Sequence, residues 1–388
     1  MQFLKSTKIT FMRYKFVALA VSGTIITAGI LNFTMGKGIT QGIDFQGGAL
    51  IRVIFSNQVP IEVVRSALSE AGITKSRIQE MGTSGREFII RAMPEAAMED
   101  QEIEEHELLG RVVVEALRGE DEKRALESGG VDLNAIDRKT LTVLLASDFP
   151  DQATDLADKI VTLRNSLEFM GIIQDFSQLE QVEGMTPEIL SFLKEKTILT
   201  RLAILSKESV GPQVGRDLRQ KATQATIWAL LGMLIYIGIR FQYAYGVAAI
   251  LTLAHDVLVT LTIFSFTNRE INLPVIAAIL TLVGYSLNDT IVIFDRVRDN
   301  LKTLRKHTFE DLLNISINQT LSRTIITSGT TFLTVAALFL FGGEVINDFA
   351  FTMMVGVIIG TYSSIYQSCS IIYFWKKIFK PKKGMGRN

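Results

Sequence analysis

The sequence predicts an α-helical polytopic membrane protein with six transmembrane helices and one extracytoplasmic α/β domain between the first two helices. Hydrophobic residues make up 48% of the 388 residues although 21% are charged, so the charges must be segregated from long apolar runs. The apolar runs approach or exceed the length of about 20 residues that a helix needs to cross a bilayer. One large polar segment, 37–218, separates the first run from all the others.

The apolar segments define the expected transmembrane helices. Allowing one interruption at His255 and Asp256, we place them at 14–35, 221–239, 244–266, 272–296, 322–342 and 348–375. The stretch 309–321 is amphipathic, and we expect it to lie along the membrane surface before the fifth helix. The first run is longer than the core of a signal peptide and no A-x-A site follows it, so we expect it to remain as an uncleaved anchor.

Basic residues set the expected orientation, because cytoplasmic loops of membrane proteins carry an excess of lysine and arginine. Four basic residues precede the first helix, and further clusters fall at 295–323 and 376–388. The connection 267–271 on the opposite side contains only Arg269, and 343–348 contains no basic residue. We therefore expect both termini in the cytoplasm and 37–218 outside it.

The chain then has a simple predicted organisation: an N-terminal segment with the first helix (1–36), the α/β domain (37–218), the remaining helices (219–375) and a basic tail (376–388). In the α/β domain, strand character at 43–55 is followed by a helix that Pro60 opens. A strand pair, a helix and a last strand follow at 76–81, 87–93, 152–170 and 202–208. This β-α-β-β-α-β order predicts a ferredoxin-like domain.

An acidic segment interrupts that domain at about 94–135. Between Glu95 and Glu127, twelve residues are acidic and four are basic. We expect one or two charged helices, or a partly disordered insertion, on the domain surface. The segment is either a solvated face or a binding patch. The stretch 178–198 reads as a further helical addition.

Composition argues against several functions. The formal net charge is zero, so no overall field attracts nucleic acid. The single cysteine, Cys369, excludes an internal disulfide and a cysteine-rich metal site. The three histidines show no ligand spacing, and no G-x-x-x-x-G-K-[ST] phosphate loop occurs, so we expect no metal, no cofactor and no nucleotide hydrolysis. The chain is not expected to be an enzyme.

Asp289 is a carboxylic acid within the fourth predicted transmembrane helix, where apolar residues are expected. A carboxylate inside a bilayer costs several kcal/mol unless it faces protein or water, is paired, or is protonated. Tyr285 and Ser286 precede Asp289 by four and three residues and so share its helix face, which we expect to point into the bundle. Such a group could load and release a proton. The alternative is a structural ion pair that only fixes helix packing.

Arg323, at the start of the fifth helix, is the expected cationic partner of Asp289. Asp256 in the third helix is a further intramembrane acid that could join the same network, beside His255. Asp295 and Arg296 stand at the membrane boundary and are expected to anchor the helix. Gly356 and Gly360 form a G-x-x-x-G pattern that permits close helix approach.

Five motifs resemble the SecF family, the smaller membrane subunits of bacterial SecDF protein-export complexes, which are related to the resistance-nodulation-division (RND) transporters. They are GIDFQGG (42–48), ESVGPQVG (208–215), AHDVLVTL (254–261), GYSLNDTIVIFDRVRDN (284–300) and SRTIITSGTT (322–331). The resemblance covers all six predicted helices and both edges of the outer domain. The outer domain is unusually long for the family, chiefly through 94–135.

The resemblance implies an RND-like half bundle that pairs with SecD in the bacterial inner membrane. It implies association with the SecYEG translocon and YajC, and use of the proton-motive force to promote export of unfolded preproteins. The family's proton-path acid falls on Asp289 and its arginine falls on Arg323. We expect Asn288 and Thr290, which flank the acid, to belong to its supporting polar face together with Tyr285 and Ser286. The motifs that tether the outer domain contain Gly42, Asp44, Gly47, Gly48, Gly211, Pro212 and Gly215. A purely structural translocon subunit and half of an RND-type small-molecule exporter remain as alternatives.

Overall fold

The computed structural model of the protein describes residues 7–36, 38–82, 84–93, 104–166 and 168–379. The chain divides into two compact units, Met1–Gly42 with Arg219–Asn388, and Ile43–Leu218. We call them the membrane unit and the sheet unit. Residues 94–103 of the predicted acidic insertion and 380–388 of the predicted basic tail lie outside the described residues.

The chain is largely helical. Its helices are α1 (Lys15–Met35), α2 (Ile43–Gln46), α3 (Ile61–Glu70), α4 (Glu104–Leu117), α5 (Glu120–Glu127), α6 (Arg138–Ala146), α7 (Ala153–Arg164), α8 (Pro187–Lys196), α9 (Pro212–Arg240), α10 (Tyr243–Phe266), α11 (Leu273–Thr303), α12 (Phe309–Phe341), α13 (Glu344–Ile365) and α14 (Gln367–Ile378). Its strands are β1 (Thr40–Gln41), β2 (Gly48–Phe55), β3 (Ser76–Met81), β4 (Glu87–Ala92), β5 (Val131–Asp132), β6 (Thr197–Ile198), β7 (Leu202–Val210) and β8 (Glu270–Ile271).

The six predicted transmembrane helices are confirmed. In the described part of the chain, six helical segments are long and apolar enough to cross a membrane: Phe11–Met35, Pro212–Arg240, Tyr243–Phe266, Leu273–Thr303, Phe309–Phe341 and Ile346–Ile378. The fourth continues past its predicted end at 296. The stretch 309–321 is not a separate surface helix but the first part of α12, because Leu312, Leu313 and Ile317 are buried in the core of the membrane unit.

Local sequence signals mark several of these helix ends. The side chain of Asn272 accepts a hydrogen bond from the backbone N–H of Val275 at 3.0 Å, which caps the start of α11. Thr308 caps α12 in the same way, through the N–H of Asp311 at 3.2 Å. The turn between α12 and α13 contains Gly343, whose φ of 75° is costly for a residue with a side chain.

Helix α13 packs closely against α11, as the G-x-x-x-G pattern predicts. A Cβ atom built on Gly356 would lie 2.6 Å from the side chain of Leu282, and one built on Gly360 would lie 3.2 Å from the Cβ of Ser286. Both glycines are therefore required by packing rather than by backbone conformation. This approach brings the polar face of α11 against α13.

The sheet unit contains a four-stranded antiparallel sheet in the order β3-β4-β2-β7. This sheet contains the strands that the sequence predicts, except that Ile43–Gln46, predicted as the start of the first strand, forms helix α2. Helix α3 packs on the sheet through Val64 and Leu68, which share an apolar cluster with the sheet residues Ile51 and Ile90. The cluster takes every second residue of β2 and β4, which places these side chains on one face of the sheet.

The second helix of this layer is α4, not the predicted helix 152–170. Val113 and Val114 of α4 are buried in the same cluster as the sheet. The expected charged helices are present as α4 and α5, but the expected surface position is wrong for α4, because it packs against the sheet. The acidic residues of this segment obscured an apolar stripe of helical spacing, formed by Leu109, Val113 and Leu117.

The predicted helix 152–170 belongs to a second core within the sheet unit. Helix α7 packs there with α6 and α8 through residues such as Leu145, Leu156 and Leu193. The parallel pair β5 and β6 lies beside them. Helix α8 confirms the helical addition predicted at 178–198.

Candidate functional site

Asp289 lies inside the helix bundle, as its polar face predicts. Its side chain is 3% exposed although it sits in the middle of an apolar helix. The hydroxyl of Ser328 on α12 donates a hydrogen bond to its Oδ2 atom at 3.3 Å. Thr361 on α13 in turn donates to the Ser328 hydroxyl at 2.7 Å. The carboxylate is thus held at the junction of three helices, away from lipid.

Arg323 does not pair with Asp289. Among the described residues no hydrogen bond or ion pair joins the two side chains, and the side chain of Arg323 is exposed on the membrane unit. Ser328 and Arg323 lie five residues apart on α12, which corresponds to about 140° around a helix of 3.6 residues per turn. Because of their different positions around α12, Ser328 faces the carboxylate of Asp289 and Arg323 does not.

Asp256 is held by a different set of groups. It is 1% exposed, and its Oδ1 atom lies 2.9 Å from Nδ1 of His255. The hydroxyl of Ser286 on α11 donates to its Oδ2 atom. The other ring nitrogen of His255 lies 2.8 Å from the hydroxyl of Ser22 on α1. Two neighbours in sequence on α10 thus connect α1 to α11.

The last span completes this network. The amide of Gln367 donates to the Ser22 hydroxyl at 2.5 Å and to the backbone carbonyl of Ala18 at 3.1 Å. The hydroxyl of Tyr362 donates to the same carbonyl at 2.9 Å. We call Ser22, His255, Asp256, Ser286, Tyr362 and Gln367 the His255 cluster. Because every member has a partner, the cluster can hold several helices together within an apolar environment.

The predicted supporting face of α11 is only partly correct. Ser286 and Thr290 are buried, and the Thr290 hydroxyl lies 3.1 Å from that of Ser364 on α13. The hydroxyl of Tyr285 is buried without a hydrogen-bond partner among the described residues. Asn288 is exposed, so it does not belong to this face. One residue before Asp289 is about 100° away around the helix, which accounts for the difference.

The His255 cluster and the surroundings of Asp289 both include residues of α11. In the described structure no direct hydrogen bond joins the carboxylates of Asp256 and Asp289. Ser286, which contacts Asp256, precedes Asp289 by three residues. The Ser364 hydroxyl lies 3.5 Å from the carbonyl of Ser286 and close to Thr290, so hydroxyl groups line the interval. Asp289 and the contact of Asp256 with Ser286 therefore lie on the same polar face of α11.

The predicted tether motifs form two close approaches of the backbone. In the membrane unit, the N–H of Gly42 donates to the carbonyl of Ile271 at 2.8 Å, next to the parallel pair β1 and β8. In the sheet unit, a Cβ atom on Gly47 would lie 2.8 Å from Cα of Pro212. A Cβ atom on Gly215 would lie 3.0 Å from the backbone nitrogen of Gly47. Only glycine allows these segments to approach so closely.

The other tether residues have local roles. Gly48 has φ of 130°, and its Cβ would lie 2.4 Å from the carbonyl of Ala92. The carbonyl of Gly211 accepts from the N–H of Gly215 at 2.8 Å, in the first turn of α9 that Pro212 opens. Asp44 lies in the first turn of α2. Among the described residues no group of three His, Cys, Asp or Glu side chains could hold a metal ion.

Ser22, Tyr362, Thr361 and Gln367 were not identified from the sequence. Ser328 belongs to a run of small residues (328–331) that suits helix packing and hydrogen bonds between helices, but the sequence did not indicate Asp289 as its partner. Single uncharged polar groups are common in transmembrane helices, so of the four missed residues only the amide of Gln367 offered a signal. His255 was noted only as a neighbour of Asp256.

Comparison with known proteins places these features in a family. Residues 193–378 match the family described as "Protein export membrane protein SecD/SecF, C-terminal", and residues 33–59 match the "SecD/SecF GG Motif". The second match covers the close approach at Gly47 and Gly48. The first covers the helices that carry Asp256, Asp289 and Arg323.

Relatives extend the similarity over nearly the whole chain. The protein translocase subunit SecF of Koribacter versatilis is 36% identical over 94% of this chain and 91% of its own length. The SecF of Escherichia coli O157:H7 is 32% identical over 93% of this chain and 86% of its own length. Their names describe transport components rather than catalytic enzymes.

A solved structure has the same architecture. The crystal structure of SecDF, a translocon-associated membrane protein from Thermus thermophilus, matches with a TM-score of 0.64 and 29% identity. The match covers 96% of this chain but 39% of that one, so this chain corresponds to less than half of SecDF. The identity and coverage of the curated relatives decide the assignment: the chain belongs to the SecF family of protein translocase subunits.

Proposed function

We propose that the chain is the SecF half of a proton-driven SecD–SecF unit that promotes export of unfolded preproteins through SecYEG, with YajC as an associated subunit. Asp289 carries the proton in this proposal. The main observation in its support is that the Asp289 side chain is almost completely buried. Its one hydrogen-bond partner among the described residues is the hydroxyl of Ser328, at 3.3 Å. A purely structural carboxylate would be expected to have a cationic partner, because an unpaired buried charge is costly.

Partnership with a second membrane protein is supported by polar groups on the outer faces of two helices. Thr281, Gly284 and Asn288 are exposed on α11 at spacings of three and four residues, which places them on one stripe. Arg323 and Thr330 are exposed on α12. The Thr281 and Thr330 hydroxyls bond to backbone carbonyls of their own helices, whereas the side chains of Asn288 and Arg323 are costly in lipid, so we expect a protein surface to cover this side. We propose that this surface is SecD, and that Arg323 acts at that interface.

The proposed location is the bacterial inner membrane, with both termini in the cytoplasm and a ferredoxin-like α/β domain outside it. The basic residue in an outer connection, Arg269, forms an ion pair with Asp348 and lies over the ring of Phe351, 4.2 Å from its centroid. One arginine in this connection is far outnumbered by the basic clusters at 295–323 and 376–388, so it does not reverse the orientation that they favour.

In this mechanism the proton gradient does work through Asp289. A charge that crosses the membrane potential releases about 2.3 kcal/mol per 100 mV, which is enough to bias a conformational equilibrium. Protonation neutralises Asp289 and weakens its hydrogen bond with Ser328, which α13 also supports through Thr361. Asp256 on α10, which the hydroxyl of Ser286 contacts three residues before Asp289 on α11, is the second acid of the proposed path.

The alternative function is that of a purely structural translocon subunit. The His255 cluster is consistent with it, because its hydrogen bonds hold α1 and the last span together. The two functions differ in what Asp289→Asn does. We expect this variant to co-purify with SecD and to lose the proton-driven step of preprotein transport into inverted membrane vesicles. Asp299→Asn, an exposed position on the same helix, is the matched control and should transport normally. Normal proton-driven transport by Asp289→Asn would refute the proposal, and loss of co-purification would favour the structural alternative.

A further inference from the structure

A cavity of about 700 Å³ lies at the end of the membrane unit that contains the N-terminal segment. It is lined by residues 7–10, by Arg296 near the end of α11, by His307 in the connection that follows, and by the first half of α12. It contains none of the residues of the Asp289 site or the His255 cluster. Its volume falls within the range of small-molecule sites, which is about 300–1,000 Å³.

One wall of the cavity is held rigidly. The side-chain oxygen of Asn318 accepts from the N–H of Ile9 at 3.0 Å, and its amide nitrogen donates to the carbonyl of Ile9 at 2.8 Å. Asn314 accepts from the N–H of Met12 at 2.9 Å. These contacts fix the N-terminal segment along α12, so the cavity exists before any ligand enters.

Two permanent cations line the cavity without a carboxylate partner. Neither Lys8 nor Arg296 forms an ion pair with any described residue. The Nε atom of Arg296 donates to Gln319 at 2.6 Å, which fixes the guanidinium at the wall, while its terminal nitrogens have no hydrogen-bond partner in the described chain. Lys15, close to the same end, differs because it pairs with Glu310 at 2.9 Å.

The lining contains one acidic residue, Asp311, so its two cations outnumber its carboxylate and leave a net positive charge. The carboxylate of Asp311 accepts a hydrogen bond from the Thr308 hydroxyl at 2.6 Å, as part of the cap of α12. Amide and hydroxyl groups supply further polar contacts, including those of Asn314, Gln319 and Ser322. The cavity is therefore suited to an anion that also accepts or donates hydrogen bonds.

The cavity lies where the apolar parts of α11 and α12 end, and we expect the headgroup layer of a membrane at this level. Arg296 follows the apolar part of α11 by two residues, and Ser322 stands where α12 becomes apolar. Exposed apolar side chains continue from the same segments towards the membrane centre, including Phe16 and Val17 on α1 and Ile325 on α12. A bound group could thus place its charge in the cavity and its hydrocarbon on these faces.

We propose that this cavity binds the phosphate of an anionic phospholipid headgroup. Arg296 and Lys8 bind the phosphate oxygens, the polar side chains contact the headgroup hydroxyls, and the exposed apolar residues contact the acyl chains. A zwitterionic headgroup carries a cation of its own, which Arg296 and Lys8 repel, so the site discriminates against it.

Native mass spectrometry of the full-length chain in detergent tests this site. The probes are phosphatidylglycerol, phosphatidylcholine with the same acyl chains, and inorganic phosphate. We expect one phosphatidylglycerol molecule to bind about tenfold more tightly than phosphatidylcholine, and Arg296→Gln or Lys8→Gln to reduce that preference several-fold. Lys302→Gln, an exposed cation on α11 outside the cavity, is the matched control and should leave the preference unchanged.

Thermal unfolding of each variant in the same detergent shows whether it is folded. Folded Arg296→Gln and Lys8→Gln variants that bind phosphatidylglycerol as the unmodified chain does would overturn the proposal. Equal binding of the two lipids would also overturn it. Displacement of phosphatidylglycerol by millimolar inorganic phosphate would show a site for the free anion, and would overturn the assignment to a lipid.

Discussion

The carboxylate of Asp289 accepts its hydrogen bond from Ser328, at 3.3 Å, and not from the arginine five residues earlier on the same helix. This contact joins α11 to α12, and the 2.7 Å bond from Thr361 to Ser328 joins α13 to the pair. A change in the charge of Asp289 therefore acts on the packing of three helices. An ion pair with Arg323 would instead have neutralised the acid within the chain.

His255 is expected to stabilise the membrane unit. His255→Ala leaves Ser22 and Asp256 without one partner each, and we expect the free energy of unfolding to fall by about 1–3 kcal/mol. Thermal unfolding in detergent measures the change. His307→Ala replaces an exposed histidine and should have little effect. Equal stability of the two variants would show that the His255 cluster does not hold the helices.

Gly47 is expected to be more sensitive to substitution than Gly72, although both have positive φ, at 75° and 82°. Gly72→Ala meets no atom within 4 Å, so it should cost only the backbone strain of about 1–2 kcal/mol. Gly47→Ala adds a clash with the backbone of Pro212, and we expect a further loss of about 1–3 kcal/mol. Denaturant unfolding of the full chain compares them. An equal cost would exclude the close approach.

Asp132 in the sheet unit gives a pH prediction. Burial raises its pKa above the ordinary value of 3.8, against the opposing effects of hydrogen bonds from Thr200 and Asn134 and of the charge of Arg118. The folded unit thus binds the proton more tightly than the unfolded chain. The stability from this group is complete below the unfolded pKa and is lost as the pH rises through the folded pKa.

Thermal unfolding of the full chain at several pH values, followed by circular dichroism, tests this sign. The unfolding temperature of the unmodified chain minus that of Asp132→Asn should decrease as the pH rises above 3.8. Asp148→Asn changes an exposed carboxylate and should show no such trend. A difference that increases with pH would mean that Arg118 outweighs burial.

The sequence allowed the six spans to be predicted because length and apolar composition alone decide whether a helix can cross a membrane. Asp289 and Asp256 could be identified because a charged side chain inside such a span is energetically costly and so indicates a buried partner or a function. The partners could not be found, since they depend on helix rotation: Ser328 faces the acid and Arg323 faces outward. A charged helix was expected in the region of α4, but its packing on the sheet was missed, because its acidic residues outweigh its apolar stripe in any count of composition.

Infrared difference spectroscopy of the chain bound to SecD, between high and low pH, tests the central claim most directly. We predict a protonated carboxyl band that is absent in Asp289→Asn, unchanged in Asp299→Asn, and shifted in Ser328→Ala, because that variant loses the hydroxyl that contacts the acid. A band that persists unchanged in Asp289→Asn, in a folded complex, would contradict the assignment of Asp289 as the proton carrier.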